Sequence, residues 1–307
     1  MEIREDIRRV TLPLPFPPGH VHVYLLRGET GWTAVDTGLG LPEAGASWRG
    51  ISASLDEPLV RLVVTHFHPD HVGAGADIVA LFGLTAHQGE LDYAQCEAVW
   101  GSLDWPQRVA DWLELHGTPS AIARDVLQQG RVARPFIRPA ERPELLQEGD
   151  TLDGWRVLDL PGHADGHIGL ERDGVLVTGD HLLPDISPTV GRYADGQPDP
   201  LGAYLASLER TEELAPEVAL PGHGEPIHDP AGRARELIEH HQERLDATAA
   251  ALAYGARTAY EVSLEVFPHD LDASGRRFAV AETLAHLERL AVEGRAEQAH
   301  GRWLAPS

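Results

Sequence analysis

Lysine and asparagine are both absent from the 307 residues of this chain. The lack of lysine excludes Schiff-base chemistry through that side chain and excludes the lysine-containing phosphate-binding loop of nucleotide hydrolases. The single cysteine, Cys96, excludes an internal disulfide, and its distance from every histidine cluster predicts a buried, small apolar side chain. No apolar run approaches the roughly 18 residues that a membrane-spanning helix needs.

Basic residues are scarce relative to acidic ones. Lysine and arginine number 25 and aspartate and glutamate 48, for a formal net charge of −23 at pH 7. A field of this sign repels polyanions, so nucleic acid is a disfavoured partner and we expect a small-molecule substrate. The first six residues lack the basic and apolar regions of a secretory signal, so we expect a cytoplasmic protein with no membrane partner.

The densest group of metal-capable side chains lies between Thr65 and His71, directly after the apolar run 59–64. Three imidazoles and a carboxylate within six positions after a strand predict a loop that delivers metal ligands. Side chains two residues apart on an extended segment share a face. We therefore expect His66 and His68 to approach one ion, and Asp70 and His71 a second.

Three later apolar runs end in a similar way. Each is followed by a turn and a metal-capable side chain: 155–160 precedes His163, 174–178 precedes Asp180 and His181, and 218–220 precedes His223. Repeated endings of this kind predict a common sheet edge where separate strands present ligands to one place. Asp36 ends an earlier predicted hairpin, over 20–35, and is expected to support the ligand loop from behind.

Together these residues resemble the signature of the metallo-β-lactamase fold superfamily, His-x-His-x-Asp-His followed by a distant His, Asp and His. The resemblance covers residues 10 to 229. It implies an α/β fold, the four-layer αββα metallo-β-lactamase sandwich, with its metal site at one edge of the sheets.

The resemblance also implies a ligand set. It assigns His66, His68 and His163 to a first metal and Asp70, His71 and His223 to a second, with Asp180 bridging both. Histidine occupies the second site where lactamases proper use cysteine, a pattern similar to glyoxalase II and other hydrolases. Imidazole and carboxylate donors suit Zn²⁺ and leave Fe or Mn possible, and we expect two zinc ions per chain.

Further candidate residues surround this set. The resemblance places His167 beneath the ligand loop, and His181 directly follows the bridging aspartate. Arg192 and Tyr193 lie in a loop near the expected mouth of the site, where they are candidates for substrate contact. Together with Asp36, these residues are predicted to support the ligands or touch the substrate.

Two segments extend the expected fold. Residues 90–142 are helical and aromatic, which predicts an insertion whose tryptophans either pack in the interior or cover a substrate cleft. From residue 230 the pattern predicts three helices and a closing hairpin, similar to the winged-helix tail of a subgroup that includes single-strand endoribonucleases. The predicted domains are thus 1–229 and 230–307. Because the tail lacks a basic face, we interpret it as a packing or oligomer-forming module.

The expected reaction is hydrolysis of an ester, thioester or lactone by a hydroxide that bridges two zinc ions. Either a protonated Asp70, the expected catalytic residue, or a metal-bound water serves the leaving group. Two alternatives remain open. One is a metal-dependent single-strand endoribonuclease or phosphodiesterase, which the net charge opposes. The other is a mononuclear iron persulfide dioxygenase, which uses a similar first cluster with fewer metals.

Overall fold

Two β-sheets lie face to face, with helices on their outer faces, in the computed structural model, which describes residues 2–306. The core between the sheets takes apolar side chains from both of them, such as Tyr24 and Val63 from one and Val157 and Leu220 from the other. The expected four-layer αββα sandwich of the α/β class is therefore confirmed.

The first sheet contains the predicted ligand strand in its interior. Its strands, in spatial order, are β1 (Glu2–Arg4), β2 (Ile7–Pro13), β3 (His20–Arg27), β4 (Trp32–Val35), β5 (Leu59–Val64), β6 (Thr85–Gly89) and β7 (Glu144–Leu146). The pairings from β1 to β4 are antiparallel, and those from β4 to β7 are parallel. Because β5 has a neighbour on each side and cover on both faces, Leu62, Val63 and Val64 are all buried.

The second sheet brings three strand ends to one edge. Its spatial order is β12 (Val218–Pro221), β11 (Val175–Gly179), β10 (Ile168–Arg172), β9 (Trp155–Asp159) and β8 (Thr151–Leu152). Both β9 and β11 are antiparallel to β10, and β11 is parallel to β12, so β9, β11 and β12 run in the same direction. The backbone N–H of Ile168 donates to the carbonyl of Thr65 at 2.9 Å, which joins the end of β5 to this edge.

Helices of the sandwich cover the outer faces of the sheets. Helices α1 (Ala44–Ala53) and α3 (Gly75–Phe82) lie on the first sheet, with the one-turn helix α2 (Pro69–Val72) between them in sequence. Helix α7 (Pro200–Leu214) contributes Leu214 to the packing on the second sheet. The sequence did not predict α1 or α7.

The region 90–142 is helical, as predicted. It contains α4 (Glu90–Trp100), α5 (Trp105–Leu115), α6 (Ser120–Ala133) and a 3₁₀ turn at Arg134–Phe136. Cys96 and Trp100 are buried in the core outside the first sheet, and Trp112 is buried against the C-terminal helices. These aromatic side chains therefore pack in the interior, and Cys96 is the buried residue that the sequence predicts.

The C-terminal part has three helices and a hairpin. Helix α8 (Pro230–Ala251) and a 3₁₀ turn (Leu252–Tyr254) precede α9 (Ala259–Val266), α10 (Ala273–Val292), β13 (Glu297–Ala299) and β14 (Arg302–Leu304). The sequence placed the start of the last helix at 279, which was wrong. Helix α10 begins earlier because the Asp272 side chain caps it, accepting from the backbone N–H of Gly275 at 2.7 Å. Among residues 2–306, no helix has the length and apolar content that crossing a membrane requires.

Gly166 is a position where the fold has no room for a side chain. A Cβ there would lie 2.1 Å from the backbone nitrogen of Asp92 on α4, so Gly166→Ala must push α4 away from the second sheet. We predict a loss of about 1–3 kcal/mol in the free energy of unfolding, measured by urea denaturation. Gly50→Ala, on the exposed face of α1 with nothing near its Cβ, is the control and should stabilise slightly. Equal stability of the two variants would contradict this packing.

Candidate metal centre

Seven side chains come together where the strands end. His66 and His68 follow β5, Asp70 and His71 belong to α2, and His163, Asp180 and His223 follow β9, β11 and β12. Their donor atoms form three overlapping groups, each with its atoms within 4.8 Å of one another: His66, His68 and His163; His66, His71 and Asp180; Asp70, His71 and His223. The structure thus places all seven predicted ligands at one site.

Hydrogen bonds behind three of the imidazole rings determine which nitrogen faces the centre. In each ring Nδ1 lies close to an oxygen that can only accept: His71 to Asp36 (2.8 Å), His163 to the Thr189 carbonyl (2.8 Å), and His223 to the His20 carbonyl (2.7 Å). Nδ1 therefore carries a proton in each ring, and Nε2 is the nitrogen that faces the centre.

The carboxylate of Asp36 orients a fourth ring through Thr65. It accepts from the backbone N–H of Thr65 at 2.8 Å and from the Thr65 hydroxyl at 2.9 Å. Because the hydroxyl proton is committed to Asp36, the Thr65 oxygen accepts from Nδ1 of His66 at 3.0 Å, which leaves Nε2 of His66 as a lone pair. One buried carboxylate therefore positions both His66 and His71.

Several of the inward-facing atoms have no partner in the protein. Within residues 2–306, Nε2 of His66, Nε2 of His71 and Oδ1 of Asp180 are buried without a hydrogen bond. Nδ1 of His68 and Nε2 of His163 face each other at 2.8 Å. Buried polar atoms are nearly always paired, so these closely facing donor atoms, several of them without a hydrogen bond, fit divalent cations as the missing partners.

The charges of the site also require a cation. Burial opposes the protonation of His71, but the carboxylates of Asp180, Asp36 and Asp70 outweigh it and raise the pKa of His71 well above its ordinary value. The same balance, with Asp180 as the main carboxylate, raises the pKa of His223 to about 10. In the metal-free site a second proton, on Nε2 of each of these two rings, compensates the buried carboxylates, and bound metal ions would take its place.

His167 and His181 face the protein interior. The ring of His167 stacks on His66 with 4.7 Å between the centroids, and its Nε2 accepts from the backbone N–H of Asp180 at 3.2 Å. Nε2 of His181 lies 2.8 Å from the hydroxyl of Thr211 on α7. Burial lowers the pKa of His181 to about 3, so this ring is neutral. His167 thus contacts two of the predicted ligands, whereas His181 contacts α7.

Arg192 and Tyr193 lie against the helices that follow the sandwich. Nε of Arg192 donates to Glu288 on α10 at 3.0 Å, and its Nη1 donates to the Gly196 carbonyl at 2.9 Å. The Tyr193 ring packs on Trp112, with 5.6 Å between the centroids. The guanidinium donors are thus engaged within the protein, and substrate contact by either residue stays a prediction.

Two residues of α4 hold the ligand loop, and no sequence pattern predicted them. Asp92 accepts from the backbone N–H of Phe67 at 3.0 Å, and Nε1 of Trp100 donates to the Phe67 carbonyl at 2.7 Å. Phe67 lies between His66 and His68, so α4 fixes the backbone that separates these two predicted ligands. The local signal was weak, because these contacts join residues 25 and 33 positions apart.

The fold and the site together define a class. The model of the metallo-beta-lactamase superfamily matches residues 16–223, and that of the metallo-beta-lactamase-like C-terminal domain matches residues 245–303. The chain belongs to the metallo-beta-lactamase superfamily, and within it this is a metal-dependent hydrolase.

Three similar proteins extend over nearly the whole chain. The probable metallo-hydrolase YqjP of Bacillus subtilis (strain 168) is 30% identical, over 94% of this chain and 93% of its own length. A metallo-beta-lactamase family protein from Thermus thermophilus is 35% identical with a TM-score of 0.86, over 99% and 100% of the two chains. A beta-lactamase domain protein from Burkholderia ambifaria is 30% identical with a TM-score of 0.89, over 99% and 94%.

The role of Asp36 is testable by Asp36→Asn. The amide keeps the size of the side chain but loses the charge that faces His71 and Thr65, so the ligand rings lose their orientation. We predict zinc binding that is about 10–100-fold weaker, measured by competition with a chromophoric chelator. Asp125→Asn, at an exposed position of α6, is the control and should bind zinc as the unaltered protein does. An unchanged zinc affinity in Asp36→Asn would show that Asp36 does not position the ligands.

Proposed function

We propose that this protein is a dinuclear zinc hydrolase that cleaves a carboxylic ester, thioester or lactone. The observation that carries the proposal is the arrangement of the seven donors in three overlapping groups, with Asp180 near both His71 and His223. Seven donors exceed what one four-coordinate zinc ion uses, so they support two ions with positions left for water and substrate.

In this proposal the donors are divided between two metal sites, as the sequence predicts. His66, His68 and His163 would hold one ion, Asp70, His71 and His223 the other, and Asp180 would bridge them. Zinc in these sites supplies Lewis acidity toward a carbonyl oxygen and lowers the pKa of water to about 7. The chain itself supplies rigid ring orientation, through Asp36 and the carbonyls of Thr189 and His20.

Asp70 is the candidate for proton transfer. Its Oδ2 lies 3.3 Å from Nε2 of His223, and its side chain is 14% exposed, whereas His71 is fully buried. Burial opposes ionisation, but His71 and His223 hold the pKa of Asp70 below its ordinary value, so the carboxylate would first take a proton on Oδ2 from the attacking water and then deliver it to a departing alkoxide or thiolate. Asp70 thus has both a ligand and a catalytic role in the proposal.

An apolar segment next to the site in sequence and the net charge support an uncharged acyl group. The segment forms an open, shallow surface lined by Leu14, Pro15, Phe16, Pro17, Pro18 and Gly19. The last of these residues, Gly19, directly precedes His20, and the backbone carbonyl of His20 accepts from Nδ1 of His223. The lining has no cationic side chain for a phosphate, and the net charge of −23 repels a polyanion. Both features favour an ester, thioester or lactone over an RNA phosphodiester.

A panel of substrates tests the reaction class. Generic esters, thioesters, lactones and phosphodiesters are assayed with added Zn²⁺, Mn²⁺ or Fe²⁺ and with oxygen uptake recorded. We expect zinc-dependent hydrolysis of the carbonyl substrates. Turnover of phosphodiesters alone, with steeply salt-dependent binding of single-stranded RNA, would replace the proposal with the nuclease. One iron per chain with oxygen consumption would replace it with the dioxygenase.

The role of Asp70 is tested with Asp70→Ala. We predict that turnover of the best carbonyl substrate falls to background, because the variant loses both a ligand and the group that carries the proton. Asp125→Ala, the same substitution at an exposed position of α6, should keep normal activity. Near-normal activity of Asp70→Ala at saturating zinc would refute the assigned role.

A further inference from the structure

A second cluster of metal-capable side chains lies between two C-terminal helices. His241 on α8 and Glu282 and His286 on α10 each offer a donor atom, and these atoms lie within 4.8 Å of one another. Both histidines are fully buried, and Glu282 is 7% exposed. None of the three belongs to the catalytic arrangement proposed above.

The ring geometry repeats a feature of the main centre. Nδ1 of His286 donates to the backbone carbonyl of Glu282 at 2.7 Å, so its Nε2 is a lone pair, and this atom lies 3.3 Å from Nδ1 of His241. At the main centre, Nδ1 of His163 likewise donates to a backbone carbonyl, that of Thr189. Nε2 of His163 then faces Nδ1 of His68. A backbone carbonyl behind the ring is the usual support of a metal-bound histidine.

The charge of Glu282 has no partner among the described residues. The nearby cation is Arg244, but its Nη1 donates to the Val266 carbonyl at 2.7 Å and its guanidinium lies over the Phe267 ring. Burial raises the pKa of Glu282 to about 7 against the opposing effect of Arg244. Burial likewise lowers the pKa of His241 to about 2 and of His286 to about 4, so neither ring supplies a positive charge at neutral pH.

We propose that His241, Glu282 and His286 form an additional zinc site that fastens α10 to α8. Zinc–nitrogen distances of about 2.0–2.1 Å in a tetrahedral site separate neighbouring donors by about 3.3–3.4 Å, which matches the two nitrogens here. The carboxylate of Glu282 supplies the negative charge that a divalent cation needs, and its second oxygen can complete the coordination. The site is structural, since the ion is enclosed between the helices.

A proton is the competing occupant of this cluster. In that arrangement Nδ1 of His241 donates to Nε2 of His286, and Glu282 is neutral. Nε2 of His241, buried without a hydrogen bond among residues 2–306, has no partner in either arrangement, so the ring itself does not separate the two occupants. A zinc-bound cluster adds one zinc ion per chain and a protonated cluster adds none, so measuring the zinc content distinguishes the two.

Anomalous scattering from crystals of the unaltered protein, equilibrated with Zn²⁺ alone, tests the site without any variant. Difference maps from data on either side of the zinc absorption edge should show a peak between α8 and α10 in addition to those at the main centre. Peaks at the main centre with none between these helices would overturn the proposal.

Zinc content of purified variants tests the same site in solution. In His286→Gln and in Glu282→Gln, we expect the zinc-to-chain ratio after dialysis to fall by one, with the main-centre zinc retained. His269→Gln, an exposed histidine in the loop before α10, is the control and should keep the full ratio. Equal zinc content in all of these folded proteins would contradict the proposal, and the map from the unaltered protein decides if a variant fails to fold.

Discussion

The carboxylate of Asp36 is the contact on which the geometry of the site depends. It accepts three hydrogen bonds, from the backbone and hydroxyl of Thr65 and from Nδ1 of His71, and so connects the end of β4 to the end of β5 and to α2. The residue has a positive φ of 66°, a conformation that aspartate adopts more readily than most residues. The ligand rings are therefore oriented by the fold before any ion binds, which limits the conformational entropy that metal binding must overcome.

Burial of charged and polar groups makes the metal-free site energetically costly. Carboxylates and imidazole lone pairs are withdrawn from water at the edge where the two sheets meet, and an unpaired buried charge is strongly destabilising. Protons on His71 and His223 relieve part of this cost, as the raised pKa of each ring indicates. Divalent cations relieve it more completely, because each one interacts with several donors at once. In the cluster of His241, Glu282 and His286 burial has the opposite effect on the rings, because it lowers the pKa of both histidines and keeps them neutral.

Much of the fold could be predicted from the sequence because its signals are local. An apolar run followed by a turn and a histidine or aspartate identified the ends of β5, β9, β11 and β12. The last three strands run in the same direction in one sheet, so their ends share an edge. The contacts and elements that the sequence did not predict involve residues far apart along the chain. Asp92 and Trp100 act on Phe67 across tens of residues, and β10 pairs with strands on both sides. Helix α7 follows an Asp-Pro cap that was not recognised, Asp199 accepting from the backbone of Gly202 at 3.0 Å.

The central claim is that seven side chains hold two ions close together. X-ray absorption at the zinc edge, on protein loaded with two equivalents of zinc, tests it most directly, because scattering between neighbouring metals reports their separation. The account predicts nitrogen and oxygen donors at about 2.0–2.2 Å and a metal–metal distance of about 3.5–4 Å. A spectrum with no metal–metal scattering, from protein shown to retain both ions, would contradict it.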